Sequence, residues 1–130
     1  MSFLSSLRGG RVISIYHNPA MEVSKQAVQL LRSATTGPYP PSDAKNPPLN
    51  FQLDVETDQP TPEQMATIRQ YLDPSSPRPG PANYPIIVDW FGGKAFAGQS
   101  SMDGASKILE ELQKERDASF AGRARKWKFW

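Results

Sequence analysis

The chain of 130 residues contains no cysteine and a single histidine. Without a sulfur that can become a thiolate, dithiol exchange, thiol nucleophiles, thiolate-bound zinc and iron–sulfur clusters are excluded. One imidazole is too few for a His-based zinc site. The same lack leaves the redox compartment unreadable, because only a surplus of paired cysteines points to an oxidising space. No run of about 18 apolar residues occurs, so no membrane-spanning helix is expected. A glycine loop of the G-x-G-x-x-G or G-x-x-x-x-G-K type is also missing, and no nucleotide or other cofactor is expected.

What remains is a chain long enough to fold alone, burying roughly two-thirds of the surface its unfolded form exposes. The formal net charge is +2, but Arg123, Arg125, Lys126 and Lys128 stand in residues 120–130 without an acid. The rest of the chain is therefore mildly acidic and the end basic. Met1 to Ala20 carries Arg8 and Arg11, several serines and no acid, a composition compatible with a mitochondrial presequence.

Ten of the 13 prolines fall in Thr36–Pro48 and Asp73–Pro85, and these stretches are expected loops because proline lacks the N–H that helix and sheet require. Between them lie three blocks. Val12, Ile13, Ile15 and Tyr16 predict a strand ended by His17-Asn18-Pro19, followed by a helix with Val23, Ala27, Leu30, Leu31 and Ala34 at helical spacing. Leu49, Phe51, Leu53 and Val55 alternate with polar residues as a half-buried strand does. Thr61-Pro62-Glu63-Gln64 then combines an N-cap, a proline at the first helical position and a Gln three residues after the cap. Ile86, Ile87 and Val88 read as a strand covered on both faces, Gly92-Gly93 as a reversal into a hairpin strand at Lys94–Gly98, and Ala105, Ile108, Leu109 and Leu112 as the stripe of a last helix ending near Asp117.

The order β-α-β-α-β-β-α resembles the thioredoxin-like fold. Ile15-Tyr16-His17-Asn18-Pro19, Ser24 and Leu30-Leu31-Arg32 are similar to the opening motif of arsenate-reductase-like proteins. Pro85-Ile86-Ile87-Val88-Asp89-Trp90 with Gly93-Lys94-Ala95 resembles the second motif of a fungal family described as mitochondrial redox proteins of thioredoxin fold. The resemblance implies an α/β domain over residues 10–118, with a four-stranded mixed sheet, helices on both faces, and first and third strands side by side. Residues 1–9 would be a flexible start or weak presequence and 119–130 a basic aromatic tail. It also implies a mitochondrial location and an oxidoreductase label.

The residues depart from that label. Where the arsenate-reductase-like pattern has its cysteine, this chain has Met21, and where the pattern has an arginine before the proline of the third strand it has Tyr84. A thioether forms no thiolate and no mixed disulfide, and a phenol is no anion clamp. Arsenate reduction is excluded. What the fold leaves is a candidate groove of His17, Asn18, Met21, Tyr84 and Pro85. In thioredoxin-like proteins the peptide bond before the third strand is cis and its backbone binds extended polypeptide, so a polypeptide or a small anionic ligand is the expected occupant.

Blander roles compete at each position. His17 suits a turn hydrogen-bonded to nearby backbone, Met21 suits simple packing at the helix start as against a reversible sulfoxide switch, and Asp89 suits satisfaction of the Gly92-Gly93 turn. Glu110, Glu111, Lys114, Glu115 and Arg116 read as the solvated face of the last helix. The tail interleaves Arg123, Arg125, Lys126 and Lys128 with Trp127, Phe129 and Trp130, the combination that meets RNA or an anionic membrane surface. Three functions follow as expectations: a thiol-free binding module, an oxidoreductase using a partner's thiol or a cofactor, and a structural component of a mitochondrial assembly held by its tail.

Overall fold

The computed structural model describes residues 11–80 and 83–128, with side chains described as far as residue 118. Four strands and three α-helices alternate as β1 (Val12–Tyr16), α1 (Glu22–Thr36), β2 (Gln52–Glu56), α2 (Pro62–Tyr71), β3 (Ile86–Asp89), β4 (Lys94–Ala97) and α3 (Ser101–Lys128). They make one mixed sheet in the order β2-β1-β3-β4. β1 runs parallel to β2 and antiparallel to β3, and β4 closes a hairpin with β3. The first and third strands are neighbours, as expected, with Ile15 opposite both Val55 and Ile87.

The period-two patterning explains the layers. From β1, β3 and β4, the residues Ile13, Ile15, Ile87 and Phe96 face α1 and α3, meeting Ala27, Val28, Leu31 and Ala34 on one helix and Ala105, Ile108, Leu109 and Leu112 on the other. Their alternates Tyr16, Ile86, Val88, Ala95 and Ala97 face α2 through Ile68. A strand covered on both sides has no need of polar alternation, and all five residues of β1 and all four of β3 are buried. β2 sits at an edge, and its alternation is preserved: Leu53 and Val55 pack on the first core while Gln52 and Glu56 are exposed.

Helix ends follow the sequence signals closely at α2. Thr61 Oγ1 accepts from Gln64 N–H at 3.2 Å and Gln64 Oε1 accepts from Thr61 N–H at 3.0 Å, the reciprocal box that satisfies two otherwise orphan donors. α1 begins at Met21 without a side-chain cap and stops at Gly37, whose N–H reaches Ser33 O at 3.0 Å. α3 starts where Ser101 Oγ donates to Gly98 O. It continues to Lys128, past the Asp117 end expected from the apolar stripe. No proline interrupts the continuation, and its Ala, Arg and Lys are good helix formers.

Two arginines fasten the elements together. Arg11 reaches Asp89 Oδ2 at 2.8 Å and both carboxylate oxygens of Glu115 at 2.9 and 2.8 Å, and its guanidinium lies 4.9 Å from the centroid of the exposed Phe91 ring. Burial opposes the charge of Arg11, but the two carboxylates outweigh it and leave the arginine pKa raised. Arg116 Nη1 donates to Tyr39 O and Pro47 O, both at 2.7 Å, pinning the first proline-rich loop to α3. Glu115 and Arg116 are thus structural contacts, while Glu110 keeps the expected helical pairing with Lys114 at 3.6 Å. Among the described residues no helix is long and apolar enough to cross a membrane.

Candidate functional site

The turn from β1 into α1 is built by hydrogen bonds converging on one buried hydroxyl. Ser24, fully buried in the first turn of α1, accepts from Asn18 N–H at 2.9 Å and lies 2.5 Å from His17 Nδ1. Asn18 Oδ1 in turn accepts from Ala20 N–H at 3.0 Å, an Asx turn. His17 N–H donates to Glu56 O at 2.7 Å and so binds the turn to the end of β2. The imidazole is therefore oriented through Nδ1, and Nε2 has no hydrogen-bond partner among the described residues.

A cleft of about 250 Å³ opens beside this turn, lined by His17, Asn18, Pro19, Thr57, Gln59 and Tyr84. Three of the five expected residues are thereby brought together: His17, Asn18 and Tyr84. Pro85 is adjacent but fully buried, with its carbonyl accepting from Gly98 N–H at 3.0 Å. Met21 is the N-cap of α1 and does not line the cleft. The Tyr84-Pro85 peptide is cis, as is Tyr39-Pro40. Tyr84 N–H and C=O have no hydrogen-bond partner among the described residues.

Pro19 falls within the His17–Met21 stretch expected from the sequence, whereas Thr57 and Gln59 do not. The signal for these two lies in the topology: parallel β1 and β2 end at the same side of the sheet, so the loops after both strands must share one rim. The cleft wall is hydroxyl, amide and imidazole, with no Lys, Arg, Asp or Glu among its lining residues. Burial raises the Tyr84 phenol pKa. Behind it, Tyr16 donates to Gln64 Oε1 at 3.1 Å and is pushed up to about 12, first by burial and then by the charges of Glu56 and Asp54 and the neighbouring Tyr84. Such phenols donate hydrogen bonds at neutral pH and supply no nucleophile.

Asp89, the other acid considered from sequence, is fully buried rather than presented in a cleft. Its Oδ1 accepts from Gly92 N–H at 3.0 Å, and Gly93 follows with φ +69°. Trp90 folds back so that Nε1 donates to Ser14 Oγ at 2.8 Å. The backbone bearing Arg123, Arg125, Lys126, Trp127 and Lys128 is helical, but their side chains, and Trp130 entirely, lie outside the described residues. Among the described residues there is no group of three or more His, Asp or Glu that could hold a metal ion.

A family model described as "Protein of unknown function (DUF1687)" matches residues 3–83. The chain belongs to this family. The match takes in β1 through α2 and every lining residue of the cleft except Tyr84, which follows it directly. No curated protein and no solved structure matches the chain. Membership in DUF1687 supplies no activity, so the chemistry of the cleft carries the functional reading.

Proposed function

We propose that this DUF1687 member is a thiol-free binding module of thioredoxin-like topology that holds a short extended stretch of polypeptide in the His17–Tyr84 cleft. The observation that carries this is the cleft's inventory: imidazole, hydroxyl and amide groups without a Lys, Arg, Asp or Glu among the lining residues, beside a main-chain N–H and C=O at Tyr84 with no partner among the described residues. Peptide groups present one donor and one acceptor each, so such a wall matches them in kind. A small anion is the weaker fit, because no Lys or Arg lines the cleft. A dinucleotide would be crowded, since cofactor sites usually enclose about 300–1,000 Å³. Support for the thioredoxin-like reading is the strand order β2-β1-β3-β4 and the closeness of the β1–α1 turn to the residue preceding β3.

Oxidoreductase chemistry by the chain itself is not part of this proposal, because no residue can cycle between thiol and disulfide. We also propose a mitochondrial location, supported by the resemblance of the β3 motif and by the acid-free start. One of the two arginines in that start, Arg11, is engaged by Asp89. Subcellular fractionation with an antibody to the chain checks the location.

The function is tested by titrating the labelled full chain with unstructured peptides of neutral composition. Backbone shifts should concentrate at His17, Asn18, Thr57, Gln59 and Tyr84, and Gln59→Ala should weaken binding about five- to ten-fold for one lost hydrogen bond. Shifts confined to other surfaces, or tight binding of inorganic phosphate at the same residues in preference to peptide, would overturn the reading.

A further inference from the structure

The two lateral edges of the sheet are treated differently. Along β4 the outer side is covered by the segment after α2: Leu72 bridges Ala95, Asp73 N–H donates to Ala95 O at 2.9 Å, and Ser76 Oγ accepts from Ala97 N–H at 2.8 Å. This is how sheets blunt an edge that would otherwise recruit another strand. On β2 the inner side is occupied, because Gln52 N–H donates to Arg11 O and Glu56 O accepts from His17 N–H, each at 2.7 Å. Main-chain groups alternate in direction along a strand. Asp54 therefore also faces β1, and Leu53 and Val55 turn their N–H and C=O groups outward. None of these four groups has a hydrogen-bond partner among the described residues.

The side chains specify what could pair there. On one face β2 shows Asp54 and the exposed Glu56, with the exposed Asp58 just beyond. On the other it shows Leu53 and Val55, packed at the margin of the first core. A second copy of the chain is a poor partner: antiparallel pairing of β2 with itself, centred on Asp54 or Val55, sets Asp54 against Asp54 or Glu56 of the other copy. Like charges directly opposite destabilise a ladder. Residues directly opposite share a face, so a matching strand carries cations beside Asp54 and Glu56 and aliphatic side chains beside Leu53 and Val55.

We propose that the outer edge of β2 takes up a fifth strand from a partner polypeptide, a basic segment in which Lys or Arg alternates with Val, Ile or Leu. The mode is strand addition, in which main-chain bonds supply affinity and alternate side chains supply selectivity. The surface adjoins the cleft, whose Thr57 and Gln59 follow β2 directly, but its readout at Leu53 and Val55 does not depend on the cleft binding anything.

The probe is a short peptide alternating Lys and Val, added to the isotopically labelled full chain while amide exchange is followed. Exchange at Leu53 and Val55 should slow about ten-fold or more as these N–H groups enter a ladder. The Asp54→Asn, Glu56→Gln double variant should bind about three- to ten-fold more weakly. A peptide alternating Glu and Val should not bind, nor should the basic peptide methylated at the amide nitrogens that face β2. Because the altered side chains are polar and partly or fully exposed, circular dichroism of the double variant should be unchanged. Equal binding of the methylated peptide, or binding without protection at Leu53 and Val55, would overturn the proposal. So would concentration-dependent protection of those amides in the free chain, which would identify the partner as a second copy.

Discussion

Gly104 in α3 lies against the ring of Phe96 in β4, so closely that a methyl group at Gly104 would overlap the ring's Cγ and Cδ2 atoms. Phe96 is itself buried, and the backbone of Gly104 takes the place of a side chain in seating the helix on the sheet. Gly104→Ala should therefore destabilise the fold by about 1–3 kcal/mol through overpacking, although alanine is the better helix former by about 1 kcal/mol. Urea unfolding checks the sign: a more stable Gly104→Ala would mean that the ring moves away at little cost.

Arg11 has two carboxylate partners in different surroundings. Asp89 is fully buried, whereas the Glu115 side chain is 59% exposed. Water and salt screen the second pair and not the first, so a double-mutant cycle should give about 2 kcal/mol of coupling for Arg11 with Asp89 and less than about 1 kcal/mol for Arg11 with Glu115. Arg11→Ala alone should cost about 3 kcal/mol, because it strands the Asp89 carboxylate in the interior. Chemical denaturation of the three single and two double variants beside the parent chain, at two salt concentrations, measures both couplings.

The Tyr16 phenol gives the fold an alkaline limit. Its pKa rises from 10.0 in the unfolded chain to about 12 in the folded one. The stabilisation this provides is complete below pH 10 and is lost as pH climbs toward 12. Unfolding free energy should fall by on the order of 2 kcal/mol across that window. Tyr84 and Tyr39 are raised in the same direction and add to the slope. Tyr16→Phe should start lower at neutral pH, for want of the bond to Gln64, and then decline less steeply.

Thr61→Ala removes the acceptor for Gln64 N–H and should cost about 1 kcal/mol. Thr61→Ser keeps the oxygen and should cost only a few tenths. Thermal melts of the two variants distinguish capping from a general loss of bulk at that position.

The elements of the fold were largely legible because their signals are local. The Thr61–Gln64 box, the buried run Ile86–Val88 and the alternation at Leu53 and Val55 each carry enough information within a few residues to name an element. Asp89 at the Gly92-Gly93 turn was legible for the same reason. What the sequence hid was long-range. Nothing near Arg11 announces a partner at residue 89 or 115, and its place in an acid-free stretch invites a targeting role instead. Arg116 looks like one more solvated charge until the proline loop folds beneath it. The apolar periodicity stops near Leu112 and points to an end near Asp117, whereas the helix runs on to Lys128 through residues of good helix propensity. Two of the six lining residues were hidden for a topological reason, since Thr57 and Gln59 reach His17 only because β1 and β2 are parallel neighbours.

A polypeptide whose cysteines are all carboxymethylated, kept unfolded and added to the full chain during amide exchange, tests the central claim most directly. Binding by peptide hydrogen bonds needs no thiol on either side, so exchange at Tyr84 should slow and the complex should form as well as with the unblocked polypeptide. Loss of binding on blocking the thiols, or unchanged exchange at Tyr84 in a saturated complex, would contradict it.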